Sequence, residues 1–175
     1  MKTLVTFYSQ TGNTEKVAHS IFDVIDGEKQ LKTLDKVKNL DGYDLIFIGF
    51  PIYNFEPIDK AKDFLLNKIK GKNVILFITL SLTAAPKSEL TDNLYYTTVK
   101  NCKNYCSTGN LLGFFDCPGE LSAKTAEALL KSNNPELQMF GAMREFTIGY
   151  PTKNNLLDAQ KFALNKLAEF NKCKI

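Results

Sequence analysis

The chain has 175 residues, which is enough for one domain that buries a hydrophobic core without disulfides or metals. Its 44% hydrophobic and 23% charged residues, without repeats or low-complexity tracts, argue against disorder. The net charge of +3 is small and the lysines are interspersed with acids, which argues against nucleic-acid binding. The opening residues MKTLVTFYSQ fit neither a signal peptide nor a membrane span, so we expect a cytoplasmic protein. In that compartment the cysteines, which form no C-x-x-C pair, are expected to stay thiols: Cys102, Cys106, Cys117 and Cys173.

Strand and helix patterns alternate along the chain. Short apolar or alternating runs predict strands, and apolar residues at helical spacing predict helices. The last unassigned stretch, residues 133–152, is too apolar for a free linker and is expected to provide extra packing or a docking surface. In chain order the pattern predicts a strand at 2–7, a helix at 13–25, an edge strand at 29–34, a strand at 43–50, a helix at 57–69, a strand at 73–80, a helix at 88–105, a strand at 109–117 and helices at 122–132 and 154–171.

This alternation predicts a single α/β domain over residues 1–175. Near-continuous apolar strands are typical of a parallel sheet covered by helices on both faces, which gives a three-layer α/β/α sandwich. We expect five strands in the order 2-1-3-4-5, in which ligands bind beyond the carboxyl ends of the strands. Loops 9–14, 51–57 and 81–86 would then converge on one crevice.

The loop at residues 9–14 is rich in hydroxyl and amide groups. Ser9, Thr11, Asn13 and Thr14 precede or begin a helix, whose N-terminal N–H groups and dipole favour an anion such as phosphate. The sequence lacks both G-x-x-x-x-G-K-S/T and G-x-G-x-x-G, which leaves a terminal monophosphate. The alternative is that Thr11 or Asn13 merely caps the helix.

The other two loops suggest a flat ligand. In PIYNFEP, Tyr53 and Phe55 lie between prolines, where they can stack on a conjugated ring. Core packing is the alternative role for such aromatics. The segment SLTAAP has small side chains and main-chain N–H groups that allow close approach of a planar polar edge.

Together these residues resemble the flavodoxin family. The stretch YSQTGNTEKVA contains the complete phosphate-loop pattern S/T-x-T-G-N-T of that family. The stretches GFPIYNFEP and LFITLSLTAAP match its two flavin loops. Downstream, GFFDCPGEL and IGYPTKNNLLDAQKFA resemble short flavodoxin-domain proteins common in anaerobic bacteria.

The resemblance implies a flavodoxin-like fold, bound FMN and electron transfer. It implies that the ribityl phosphate is held by Ser9, Gln10, Thr11, Gly12, Asn13 and Thr14. It also implies flavin contacts from Pro51, Ile52, Tyr53, Asn54 and Phe55, and from Leu80, Ser81, Leu82, Thr83 and Ala84.

Two features depart from the family. Flavodoxins are strongly acidic, whereas this chain has a pI of about 8.6, so its partner surface should differ. The loop SLTAAP also lacks the family's second stacking aromatic.

In the family a peptide of the first flavin loop turns over on reduction. Because asparagine tolerates positive φ, we expect the Asn54–Phe55 peptide to be the mobile one.

The remaining polar residues suggest no catalytic group. His19 falls on the polar face of the first helix and is expected at the surface. Cys102 and Cys106 lack further metal-binding partners, so no metal site is predicted. Cys117 is expected to be a buried structural thiol, with redox involvement as the alternative.

Three functions remain open from the sequence. The first is an FMN-dependent electron carrier that serves redox partner proteins, namely a reductase or ferredoxin-type donor and an acceptor enzyme. The second is an FMN oxidoreductase, or an accessory subunit of a reductase, that acts on a small conjugated substrate such as a quinone or tetrapyrrole. The third is a protein that kept the fold but binds no flavin. We favour the carrier because no general acid or base adjoins the ring loops.

Overall fold

The computed structural model of the protein describes residues 1–172. Five strands form a parallel sheet in the order β2-β1-β3-β5-β6, and a short strand, β4, pairs antiparallel with β3. The predicted α/β sandwich and strand order are therefore confirmed. The strands are β1 (Lys2–Phe7), β2 (Glu28–Thr33), β3 (Leu45–Tyr53), β4 (Glu56–Pro57), β5 (Asn73–Leu80) and β6 (Asn110–Pro118). The helices are α1 (Asn13–Asp23), α2 (Asp59–Lys68), α3 (Glu89–Tyr105), α4 (Ala123–Leu130), α5 (Pro135–Ala142) and α6 (Lys153–Lys172).

The sheet separates two hydrophobic cores. The apolar runs of β3 and β5 send alternate side chains to opposite faces, so Phe47 and Ile48 are both fully buried but belong to different cores. Helices α1 and α6 cover one face, and α2 and α3 cover the other. Because both faces are covered, the loops at the carboxyl ends of the strands are left to form a site.

Two segments differ from expectation. The predicted loop 51–57 is a β-hairpin, because β3 continues to Tyr53 and the chain turns back into β4. Segment 133–152, which had no predicted element, contains α5 and a 3₁₀ turn at Met143–Thr147. Further 3₁₀ turns lie at Leu34–Lys36 and Ser81–Ala84.

Along residues 1–172, none of the helices combines the length and the apolar character that a membrane crossing requires. Cys173 lies outside the described residues.

Candidate cofactor-binding cleft

Two adjoining cavities occupy the carboxyl edge of the sheet. The first, called the polar cavity, has a volume of about 100 Å³ and is lined by residues of the 9–14 loop. The second, called the apolar cavity, has a volume of about 210 Å³. The two form one cleft because they share six lining residues: Ile52, Tyr53, Leu80, Ser81, Leu121 and Thr125.

The N-terminus of α1 lies at the polar cavity, which Asn13 and Thr14 line. Gly12 is the N-cap residue, with φ of 89° in the left-handed region, and no side chain caps the helix. The capping role considered for Thr11 or Asn13 is therefore wrong. The N–H groups of the first turn have no side-chain partner there, which is the arrangement that binds phosphate at helix N-termini.

The polar side chains of this loop divide into two groups. Ser9 accepts a hydrogen bond of 3.1 Å from the Gly12 N–H, and Asn13 donates one of 2.9 Å to the carbonyl of Glu120. The buried Thr14 hydroxyl lies 2.7 Å from that of Thr79 on β5. These bonds shape the loop. The exposed Thr11 hydroxyl, by contrast, makes no hydrogen bond within residues 1–172 and lines the polar cavity.

The hairpin at Tyr53–Glu56 forms one wall of the cleft. Asn54 has φ of 50° and Phe55 has φ of 60°, so both central residues of the two-residue turn are left-handed, as a type I′ turn requires. Asn54, which the sequence analysis singled out as tolerant of positive φ, does lie in this region, but no local signal indicated that Phe55 lies there too. A bulky residue at positive φ stores strain.

Two contacts hold this strained turn. The Phe55 carbonyl accepts a hydrogen bond of 3.4 Å from the Asn101 side chain on α3. The rings of Phe55 and Phe140 pack edge to face, with centroids 5.6 Å apart. Tyr53, next to the turn, is 62% exposed at the mouth of the cleft. Tyr53 and Phe55 both line the apolar cavity. Of the two side chains, only that of Tyr53 is exposed to solvent.

The opposite wall follows β5. Leu80, Ser81 and Leu82 line the apolar cavity, as does Ala85. Thr83 and Ala84 line neither cavity, since the chain coils into a 3₁₀ turn in which the Thr83 hydroxyl bonds back to the Leu80 carbonyl. The role suggested for those two residues in cofactor binding stays a prediction.

A third wall comes from residues that the sequence analysis did not assign to the site. Helices α4 and α5 and the 3₁₀ turn, residues 123–147, are called the roof. Leu137, Phe140 and Met143 point from it into the apolar cavity. Their spacing of three residues is a helical signal, so this face was detectable, although its destination was not. Helices α4 and α5 pack closely at Gly141, which has no side chain. A Cβ at this position would lie 2.8 Å from Leu130 Cγ and 2.9 Å from the Ala126 carbonyl oxygen.

Glu120 joins the roof to the start of α1. Its carboxylate accepts hydrogen bonds from Arg144 Nη2 at 3.0 Å and from the Gly149 N–H at 3.1 Å. Its own N–H donates to the Tyr150 carbonyl, while its carbonyl accepts from Asn13. Glu120 thus contacts both α1, whose N-terminus lies at the polar cavity, and the roof, which lines the apolar cavity.

No thiol or imidazole enters the cleft from the described chain. Cys102, Cys106 and Cys117 are buried free thiols, and burial raises the pKa of each to about 12, with Asp116 adding to the effect at Cys117. The structural role expected for Cys117 agrees with this burial. His19 is exposed on α1, as expected. Residues 1–172 contain no cluster of side chains suited to a metal ion.

The order of the strands and the position of the cleft define a doubly wound α/β protein with an uncapped helix N-terminus at its cleft. The family model for the flavodoxin domain matches residues 4–163, so the chain belongs to that family.

Individual relatives agree with this assignment. The flavodoxin-like domain-containing protein BilS of Clostridioides difficile (strain CD3) is 28% identical over 177 residues, which cover 95% of this chain and 97% of that protein. A flavodoxin from the domain Archaea superposes with a TM-score of 0.56 at 13% identity, covering 98% of this chain and 99% of its own. Oxidised flavodoxin 2 from Bacillus cereus superposes with a TM-score of 0.52 at 18% identity, and the match covers 97% of this chain and 99% of that flavodoxin.

Proposed function

We propose that this protein binds FMN in the cleft and carries electrons between partner redox proteins in the cytoplasm. When bound, FMN supplies one- and two-electron redox chemistry. The observation that carries the proposal is the continuity of the uncapped α1 N-terminus with an apolar cavity. A ligand with a terminal phosphate and a flat apolar ring matches both halves of that cleft.

The residues present fit such a ligand. The first-turn N–H groups of α1 and the Thr11 hydroxyl offer donors to a phosphate. The apolar cavity offers Ile52, Leu80 and Leu82 to a ring. Tyr53, at the mouth, is the exposed aromatic through which a partner would approach.

The lining of the apolar cavity favours a carrier over an enzyme with its own substrate. Among the described residues that line this cavity there is no histidine, cysteine, lysine, aspartate or glutamate to act on a substrate as a general acid or base.

The partners we propose are a reductase or ferredoxin-type donor and an acceptor enzyme. The chain has a pI of about 8.6, so these partners should present a different charge pattern from those that dock onto acidic flavodoxins.

Flavin titration tests the cofactor. FMN and riboflavin are added to the wild type, to Thr11→Ala and to Thr97→Ala, an exposed control on α3. Thr11→Ala should weaken FMN binding about tenfold, because a hydrogen bond to a charged group is lost, and should leave riboflavin binding unchanged. Equal losses for both flavins would contradict the phosphate site, and a wild type that binds neither would contradict the proposed function.

Electron exchange tests the carrier role. The FMN-loaded protein should accept electrons from a reductase and NADPH, and pass them to an added acceptor protein. Alone, with NADPH and a quinone, it should show no turnover. Sustained quinone reduction without a partner would favour the oxidoreductase.

A further inference from the structure

Aromatic side chains are unevenly distributed around the apolar cavity. Tyr53 and Phe55 come from the hairpin, whereas the β5 wall offers only Leu80, Ser81, Leu82 and Ala85. One more aromatic ring lines this cavity, and it belongs to Phe140 in the roof.

Phe140 is not explained by core packing. It belongs to neither of the two hydrophobic cores, nor to the partly buried residues packed against them. Its ring is half-buried and its contact with Phe55 is edge-on, at an interplanar angle of 62°. A phenyl ring that lines a cavity in this way has apolar surface left for a ligand.

The position of Phe140 is well defined by its neighbours. The next residue, Gly141, is wedged against Ala126 and Leu130 of α4, which sets the rotation of α5 about its axis. Beyond α5, Arg144 is bound to Glu120 at 3.0 Å. Both contacts follow Phe140 in the chain, so they hold the C-terminal end of α5, which carries the ring.

We propose that Phe140 is a cofactor-binding residue that supplies the aromatic contact missing from the β5 wall. The inference rests on the proposed function, since it assigns a residue to the flavin ring. A phenyl ring adds no hydrogen-bonding group, so its contribution is to the flat conjugated ring alone. Its effect should therefore be equal for FMN and riboflavin, unlike that of the phosphate loop.

Affinity measurements on Phe140→Ala, Phe140→Leu and Phe140→Tyr test this. Phe146→Ala is the matched control, because Phe146 lies in the same roof, is 45% exposed and lines neither cavity. Phe140→Ala should weaken FMN and riboflavin binding by the same factor of about ten, while Phe146→Ala binds as the wild type does. Phe140→Tyr keeps a ring and should restore affinity. Phe140→Leu keeps apolar bulk, so it carries the test if the alanine variant does not fold.

A spectroscopic readout separates contact with the flavin from a role in roof stability. The chain contains no tryptophan, so Phe140→Trp and Phe146→Trp each introduce a single indole. The visible absorption band of bound flavin should change shape in Phe140→Trp only, because only that indole would touch the ring.

The outcomes are distinguishable. Unchanged flavin affinity in both Phe140→Ala and Phe140→Leu would overturn the role of Phe140 and leave the proposed function intact. Loss of FMN but not riboflavin affinity in these variants would also overturn it. A wild type that binds neither flavin would overturn the proposed function, and this assignment with it.

Discussion

The side-chain amide of Asn13 donates a hydrogen bond of 2.9 Å to the main-chain carbonyl of Glu120, which joins the first turn of α1 to the loop that follows β6. The carboxylate of the same Glu120 binds Arg144 at 3.0 Å. The start of α1 and the roof are thus connected through one residue, and a change there should affect both.

Glu120→Gln should loosen the roof. The substitution keeps the side-chain shape but removes the charge that Arg144 binds, and we expect a loss of about 1 kcal/mol in the free energy of unfolding, since both side chains are partly exposed. Limited proteolysis should cut within residues 123–150 faster than in the wild type. Lys161→Gln is the control, because it removes an exposed pair with Asp158 that should contribute little. Identical cleavage patterns in the wild type and Glu120→Gln would contradict this connection.

Substitutions at Asn54 should depend on whether the new residue accepts positive φ. Asn54→Val should lower the free energy of unfolding by about 1–2 kcal/mol, because a β-branched side chain is strained at φ of 50°, whereas Asn54→Gly should be tolerated. Urea denaturation gives both values. Equal stabilities of the two variants would mean that the turn is not left-handed in solution.

The same two variants test whether the Asn54–Phe55 peptide responds to the flavin. With FMN bound, Asn54→Gly should enlarge the separation between the two one-electron reduction potentials, and Asn54→Val should reduce it, because turnover of the peptide needs conformational freedom. Potentiometric titration measures the separation. If it is the same in the wild type and both variants, Asn54 serves only to form the turn.

Gly141→Ala should destabilise the roof, although alanine ordinarily favours a helix over glycine by about 1 kcal/mol. The added Cβ would lie 2.9 Å from the main-chain oxygen of Ala126, which cannot move aside as a flexible side chain can. Helix α5 would then shift from α4, and flavin affinity should fall several-fold. Glu127→Ala, on the exposed face of α4, should leave flavin affinity unchanged. Wild-type affinity in Gly141→Ala would show that the wedge is unimportant.

The three described cysteines should react slowly with thiol reagents in the folded protein. In a Cys173→Ser background, Ellman's reagent at pH 8 should modify Cys102, Cys106 and Cys117 at least tenfold more slowly than in urea, because all three are buried and the pKa of each is raised to about 12. Rapid modification of any of them in the native state would contradict this burial.

The raised pKa values also predict a loss of stability in alkali. Below the ordinary thiol pKa of 9.0 the thiols are protonated in both states, so stability is unaffected. Between pH 9.0 and about 12 the unfolded chain loses these protons and the folded one keeps them, so the free energy of unfolding should fall as pH rises. Urea midpoints at pH 8 and pH 10 measure the fall, which should be smaller in Cys106→Ala. An unchanged pH dependence in that variant would exclude Cys106 as a contributor.

The order of strands and helices could be predicted from the sequence because each element depends on local periodicity. The run NVILFITL predicts a strand buried on both faces, and the structure places β5 at the same residues, Asn73–Leu80. The family's phosphate-loop pattern was also detectable, since it is contained within Ser9–Thr14. These signals extend over a few residues and need no knowledge of the rest of the chain.

The walls of the cleft were decided by contacts between distant residues. Thr14 bonds to Thr79 and Asn13 to Glu120, pairs separated by 65 and 107 positions, so no local pattern shows that these side chains shape the loop instead of capping α1. Phe55 likewise has a left-handed backbone conformation that bulky residues rarely adopt. Contacts with Asn101 and Phe140 hold it there. The helical spacing of Leu137, Phe140 and Met143 indicated an apolar face. Only the packing of α5 on α4 determined that this face lines the apolar cavity.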